Sequence, residues 1–540
     1  MSNQLHSRGS STSQAAVSDP WTNRLQLVIV VAGIGVRLAR FLEGRPLWLD
    51  ESLVALNVLP NGPADFLKPL GHNTISPVGF LFGEWLITRV AGTGEHALRF
   101  LPLVASVVGM IVFARFARRA LEPGAALLAT ALSALSPLLI YYAGETKSYA
   151  FDWLFVVLLM YATLSLAENP TKRGWLHWSL TAAFAALLST AAPFIVGGCA
   201  LALLTFPAMR RSLSTIVRIG IAAAPAALLF ALQVFTTYHS SETRAMMGRD
   251  WALEFLQLRV PEGLVQAALL ARHVVMEILV GDQVTNALPQ KSMTLIIVAI
   301  AIGAIMLARR SLRVFVLVVA PVALAVSASV AHLWPLTPRL LLFVVPAVAI
   351  TLASAIAAVT RLLPSRAGAI TFSALSCLLV VGSAAGARAE WNKPQFVALP
   401  GALRHVASRI GPNATVYLSG DLVPACTYYL AWHPDRAALR DGNDSPITNC
   451  SFRGASTVAG NWPPVVRSRL DELPDMRPEW LEEEGPRIVA ATNQELWVLI
   501  SHSRKLREEL PVWLERHGMR RVSERKERTI HVLQYVKGPS

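Results

Sequence analysis

The chain has 540 residues, of which 53% are hydrophobic and only 16% charged, and its mean hydropathy is +0.45. Soluble domains carry about 25% charged residues, so the composition excludes an ordinary soluble enzyme and indicates a polytopic helical membrane protein. The net charge of +14 would suit a nucleic-acid partner, but much of the Arg and Lys sits in short links between apolar runs, so no nucleic-acid partner is expected.

Residues 1–24 read as a polar, Ser-rich, disordered cytoplasmic tail. The first apolar run, 25–42, lacks a strongly basic preceding region and contains Arg37 and Arg40, so it reads as a retained span rather than a cleaved signal peptide. Further spans are predicted at 98–114, 124–142, 149–167, 176–191, 193–208, 216–236, 292–308, 314–331, 340–359 and 369–386. That makes about eleven transmembrane helices. Arg115, Arg118 and Arg119 follow the second span, Lys172 and Arg173 the fourth, and Arg210, Arg211 and Arg218 the sixth. Arg309, Arg310 and Arg313 follow the eighth, and Arg361 and Arg366 the tenth. All of these fall on one side, which the positive-inside rule makes cytoplasmic. The outer side then receives two long loops (43–97 and 237–291), the short links around GETK and HLWPLTPR, and the tail.

In loop 43–97, the strings LDESLVALNVL and SPVGFLFGEWLITRV are amphipathic enough to form short interfacial helices. Loop 237–291 begins with YHSSETRAMMGRD and continues into a predicted helix near 251–281. The tail, 387–540, alternates strand-like runs (ATVYLSG, ELWVLISH, RTIHVLQYV) with helix-like stretches at 399–410 and 504–517, the pattern of a small extracytoplasmic α/β domain. Cys426 and Cys450 both lie there, on the oxidising side; they either pair, in a disulfide worth about 3 kcal/mol, or stay as two thiols. Cys199 and Cys377 fall inside spans, as small apolar residues. Trp432, Trp462, Trp497 and Trp513 of the tail suit core packing better than sugar stacking.

No zinc-spaced Cys/His cluster, Walker-type glycine loop or dinucleotide fingerprint is present in the sequence. The chemistry-bearing residues lie instead on the outer side. Asp50 and Glu51, in RPLWLDESL, place two carboxylates just beyond the first span. Charge beside a bilayer is costly unless solvated or paired, so two carboxylates there point to a function, and one can take a proton from an attacking hydroxyl. Alternatively, Asp50 simply caps a helix starting at Glu51. Glu145 and Lys147 share a tight link, where Glu145 can support a base or hold a divalent ion and Lys147 can neutralise phosphate; the plain alternative is a surface ion pair. Arg339 breaks the charge bias by standing at the outer start of a span behind Pro335 and Pro338. A guanidinium fork there suits a lipid phosphate, or a snorkelling anchor. His72 beside Asn73, Arg99, His239, Glu242, Arg244 and Asp250 are weaker substrate candidates, each better explained singly as a loop residue or, for Arg99, as a structural ion-pair partner.

Three strings in order carry a family resemblance: LWLDES followed by HNTISPVGFLF, then SPLLIYYAGETKSYAF, then WPLTPRLLLFVVP. Over roughly residues 25–360 the chain resembles the GT-C fold glycosyltransferases that use polyprenyl-phosphate sugars. It is most similar to the bacterial group containing the aminoarabinose transferases of lipid A, related to the protein O-mannosyltransferases. The resemblance implies an inverting transfer at the outer face of a bacterial inner membrane. Asp50 would be the general base with Glu51 in support, Glu145 and Lys147 would lie near the donor phosphate, and Arg339 would face it. It implies a polyprenyl-phosphate-linked sugar as donor and an envelope lipid such as lipid A, a glycan or a protein as acceptor. Members differ in metal use; a divalent metal (Mg or Mn) stays open, since no complete ligand set stands out. Two other classes compete: a transporter or flippase for lipid-linked glycans, for which neither mid-membrane charges nor repeats are evident, and a non-catalytic scaffold.

Overall fold

The computed structural model describes residues 20–538 apart from 72–73, 210–212, 239–250, 258–261, 286, 393–397, 412, 440–455, 460–464, 467–474, 477–479, 502–503 and 528. The membrane part contains α1 (Pro20–Leu42), α2 (Leu49–Val58), α3 (Val78–Ala91), α4 (Glu95–Ala120), α5 (Pro123–Leu135), α6 (Pro137–Tyr142), α7 (Tyr149–Glu168), α8 (Lys172–Leu188), α9 (Ala192–Leu203) and α10 (Leu213–Gln233). It continues with α11 (Glu262–Leu279), α12 (Gly281–Thr285), α13 (Gln290–Arg310), α14 (Leu312–Val330), α15 (Val345–Thr360) and α16 (Ser365–Asn392).

Among the described residues, eight helices are long and apolar enough to cross a membrane, so the chain is a multi-pass membrane protein. The other three predicted spans correspond to shorter helices: α5, α8 and α9. The predicted span 124–142 is broken at Ser136, whose backbone leaves the helical region before Pro137. Proline has no amide to continue the ladder, and the Ser136 hydroxyl instead donates to the carbonyl of Ile278. The expected tail of 1–24 also ends sooner, because α1 begins at Pro20; residues 1–19 lie outside the described set. The predicted helix near 251–281 is shorter, running from Glu262 to Leu279 as α11.

Apolar side chains such as Leu25, Val28, Ile221, Leu228 and Leu378 point outward, as a lipid-facing surface requires. Inside, polar groups are matched. The Gln26 amide donates to Ala114 O and Thr130 Oγ1, and Arg37, fully buried, spends its guanidinium on Ser106 Oγ and the carbonyls of Gly33, Ser133 and Ala134. Packing is close enough that a Cβ at Gly303 of α13 would overlap the carbonyl of Thr351 on α15. Gly303→Ala is therefore expected to cost about 1–3 kcal/mol of stability, read as a lowered midpoint of thermal unfolding in detergent.

The two ends of the bundle differ. At one end Arg119 of α4 bridges Glu168 of α7, and Arg310 and Arg361 both reach Glu122. The opposite end carries α2, the link 143–148 and the turn at Pro338–Leu340.

The carboxy-terminal part adds α17 (Leu399–Ala407), β1 (Thr415–Leu418), α18 (Val423–Ala431), β2 (Ser456–Ala459), a small ladder of β3 (Val465–Val466) with β4 (Asp475–Met476), α19 (Trp480–Ala491), β5 (Glu495–Ile500), α20 (Arg504–Arg516), β6 (Met519–Glu527) and β7 (Ile530–Lys537). The main sheet runs β2-β1-β5-β7-β6, with β1 parallel to β2 and β5 and the remaining pairs antiparallel. Side chains alternate across a strand. Trp497 and Leu499 of β5 therefore face one apolar cluster, and Leu496, Val498 and Ile500 face another, built with α19 and α20. The first cluster also contains Leu47, Ala55, Leu59 and Leu98, so the sheet domain shares a core with α2 and α4. Trp497 and Trp513 are buried in these clusters and Trp432 packs at the edge of one; Trp462 lies outside the described residues.

Candidate active site

Gly44, at φ +56, turns the chain out of α1 in the left-handed region that glycine tolerates. The segment Arg45–Trp48 then leads into α2. Asp50 and Glu51 occupy the first turn of α2, where carboxylates favour the helix dipole. Asp50 is not the cap, since the helix already begins at Leu49.

The two neighbouring carboxylates have different surroundings. Glu51 is fully buried, and Arg99 grips it in a fork, Nε to Oε1 and Nη2 to Oε2, both at 2.7 Å. The Thr146 amide donates to Oε1 at 2.9 Å and the Trp48 amide to Oε2 at 3.4 Å. Burial opposes its ionisation, but Arg99, Arg45 and the Thr146 amide together hold its pKa below the usual value. Glu51 is therefore a framework ion and not an exposed base. Arg99 is committed to the same task, also donating to the carbonyls of Arg45 and Pro46. At 2% exposure it stands in the ion-pair role that the sequence also allowed it.

Asp50 is the accessible carboxylate, with a side chain 22% exposed. Its Oδ2 accepts from Arg339 Nη1 at 3.0 Å, a contact spanning 289 positions of sequence. Burial would raise its pKa, but Lys147 and Arg339 outweigh that and keep it below the ordinary carboxylate value. Burial lowers the pKa of Lys147, with Asp50 acting in opposition. Arg339 itself stacks over the Trp251 ring at 4.8 Å, and its Nε has no hydrogen-bond partner. Three segments far apart in sequence thus bring Asp50, Lys147 and Arg339 into one electrostatic group.

Glu145 is fully buried, 3.0 Å from Arg45 Nη2 and hydrogen-bonded by Trp48 Nε1. Burial and the nearby Glu51 push its pKa up, against the pull of Arg45 and Arg99. It is a second-layer acid behind Trp48, not a surface ion pair with Lys147. Beside Trp48 lies a cavity of about 180 Å³ whose lining includes Tyr141, Tyr142, Glu277, Asp282 and Glu390.

Sequence reasoning missed Arg45, Trp48 and Thr146, although Arg45 and Trp48 stand in the string that holds Asp50. It also missed Asp152, buried in the first turn of α7, whose Oδ1 accepts from Ser189 and the Ala191 amide while Oδ2 has no partner. His72, Asn73, His239, Glu242, Arg244, Asp250 and Cys450 lie outside the described residues. Cys426 is disulfide-bonded, and Cys199 and Cys377 are free. Among the described residues no three His, Cys, Asp or Glu side chains converge as metal ligands. Asp50, Glu51 and Glu145 are each paired with a guanidinium, that of Arg339, Arg99 and Arg45 respectively.

The fold defines a multi-pass helical membrane protein with a small carboxy-terminal sheet domain. Residues 76–236 match the family profile described as dolichyl-phosphate-mannose-protein mannosyltransferase. A comparison with curated proteins finds no match. Among solved structures, ArnT from Cupriavidus metallidurans aligns over 96% of this chain and 99% of its own length, with 13% identity and a TM-score of 0.48, both in the apo state and bound to undecaprenyl phosphate.

Proposed function

We propose that this protein is an inner-membrane glycosyltransferase that moves a sugar from a polyprenyl-phosphate donor to a hydroxyl acceptor at the outer face, with inversion. The acceptor oxygen attacks the anomeric carbon while Asp50 takes its proton. The bond from that carbon to the phosphate oxygen breaks, and polyprenyl phosphate leaves with the electron pair. Lys147 and Arg339 meet the charge that develops on the leaving phosphate. Glu51 and Arg99 hold α2 in place, and Glu145 supports the indole of Trp48. The basic helix ends at the other end of the bundle support a cytoplasmic assignment for that end, which leaves the site and the sheet domain on the periplasmic side. The mannosyl-phosphate-lipid class of the matched family supports a lipid-phosphate donor.

The observation that carries this reading is the ion pair of Asp50 with Arg339, flanked by Lys147. It keeps a base and two cations together at the membrane surface. An arriving donor phosphate competes for Arg339. As that guanidinium turns to the phosphate, Asp50 loses the partner that depresses its proton affinity and becomes a stronger base. The aromatic faces and carboxylates of the cavity beside Trp48 suit a hydroxyl-rich ligand.

The test is a donor titration. Arg339→Lys keeps the charge and loses the fork, so KM for a polyprenyl-phosphate sugar is expected to rise about tenfold, or about 1.4 kcal/mol. Unchanged KM would return Arg339 to a snorkelling anchor. The pH profile gives a second readout. Asp50 must be ionised to act, and its depressed pKa places the acid limb of kcat/KM below the ordinary carboxylate range. Arg339→Gln removes a cation that favours the ionised form, so the limb is expected to move to higher pH; no movement would separate Asp50 from that limb.

A further inference from the structure

The segment Arg45–Trp48 sets where Asp50 stands, and five of its backbone polar groups are held: the carbonyls of Arg45, Pro46 and Trp48 and the amides of Leu47 and Trp48. Arg99 donates to the carbonyls of Arg45 at 2.5 Å and Pro46 at 3.3 Å. The carbonyl of Trp48 accepts from the amide and hydroxyl of Ser52, each at 2.9 Å. The amide of Leu47 donates to the hydroxyl of Tyr429 at 2.7 Å. Tyr429 comes from α18 of the carboxy-terminal domain, 382 positions away.

That hydroxyl is a two-way bridge. It accepts from Leu47 and donates to Glu95 Oε1 at 2.9 Å, while His433 Nε2 lies 3.1 Å from Glu95 Oε2. Glu95 opens α4 and stands one turn before Arg99, on the helix that clamps the other side of the same segment. Tyr429 is 1% exposed, and Leu47, Leu98 and Leu430 are fully buried around it in one shared cluster. In a dry setting the loss of a buried hydrogen bond leaves its partner unsatisfied and is felt more than at a surface.

We propose that Tyr429 is a positioning residue of the transferase site, through which the carboxy-terminal domain fixes the backbone that carries Asp50. The claim rests on the transferase reading for its effect on rate and on geometry alone for its effect on the backbone. The sheet domain is then part of the active-site frame and not an appended acceptor module. Neighbouring Tyr428 supplies the control. It is equally buried and also joins the two domains, but its hydroxyl donates to the carbonyl of Thr93 at 2.7 Å and not to the backbone of 45–48.

The experiment compares full-length wild type, Tyr429→Phe and Tyr428→Phe in nanodiscs, using amide hydrogen exchange over 45–51 without substrate and steady-state transfer from a polyprenyl-phosphate sugar. Tyr429→Phe keeps the ring in the core. It is expected to raise exchange at the Leu47 amide about tenfold and lower kcat about tenfold, with donor KM within twofold. Tyr428→Phe is expected to leave both at wild-type values. Unchanged exchange and kcat in Tyr429→Phe, or equal changes in the two variants, would overturn the proposal. If wild type shows no transfer from any donor, the transferase reading fails, and exchange at Leu47 alone decides whether Tyr429 holds the segment.

Discussion

Asp50→Asn is expected to lower the rate of sugar transfer by about 10³-fold, within the range that a positioned general base contributes. The carboxamide matches the carboxylate in shape, so the segment and helix around it should persist. The loss belongs in kcat, because Asn still occupies space beside the donor but cannot take the hydroxyl proton. A small gain in donor affinity should accompany it. Asp50 is the partner of Arg339 at 3.0 Å, and without the negative charge Arg339 is free to meet phosphate. Purified Asp50→Asn that melts like wild type, binds donor and does not turn it over would fit the account. Transfer at the wild-type rate would assign the proton to another group.

Glu51→Gln is expected to have the largest effect on stability, about 3–5 kcal/mol, because it leaves the buried guanidinium of Arg99 without its counter-charge. Glu51 is fully buried and Arg99 is 2% exposed, so water cannot compensate. The same pair anchors the Thr146 amide and the carbonyls of Arg45 and Pro46, so a break there reaches both Asp50 and the link that carries Lys147. The check is the midpoint of thermal unfolding in one detergent at one pH. A double variant, Glu51→Leu with Arg99→Met, removes both charges and should recover much of the loss, since paired apolar replacements cost far less than a stranded ion. An unshifted midpoint for Glu51→Gln would mean the pair is hydrated and contributes little.

The membrane architecture was legible because apolar runs and basic links are long-range regularities that need no partner. Helices appear at every predicted span, and the break at Ser136–Pro137 follows from a proline inside an otherwise continuous run. The strands at ATVYLSG, ELWVLISH and RTIHVLQYV were legible as β-branched and aromatic runs; their order in the sheet was not, because pairing depends on contacts far apart in sequence. At the site, the sequence exposed the charged residues as costly occupants of a membrane surface but could not distribute their roles. Asp50 and Glu51 look alike in LWLDES. Only folding separates them, because Glu51 turns toward Arg99 and Asp50 toward Arg339. Glu145 and Lys147 read as partners from their spacing, yet they face different groups, Arg45 and Asp50. Arg45, Trp48 and Tyr429 carry no signal on their own, since their importance lies in contacts with residues far away in sequence: Arg45 and Trp48 with Glu145, and Tyr429 with Leu47 and Glu95.

The central claim is that the convergence of Asp50, Lys147 and Arg339 is the reaction centre for a lipid-phosphate-linked sugar. The most direct test uses purified full-length protein in nanodiscs with a panel of radiolabelled polyprenyl-phosphate sugars, comparing wild type with Asp50→Asn for donor binding and for release of label from the lipid. The account expects both proteins to bind one donor and only wild type to release its sugar. Failure of wild type to bind any donor in the panel, or equal release by the two proteins, would contradict it.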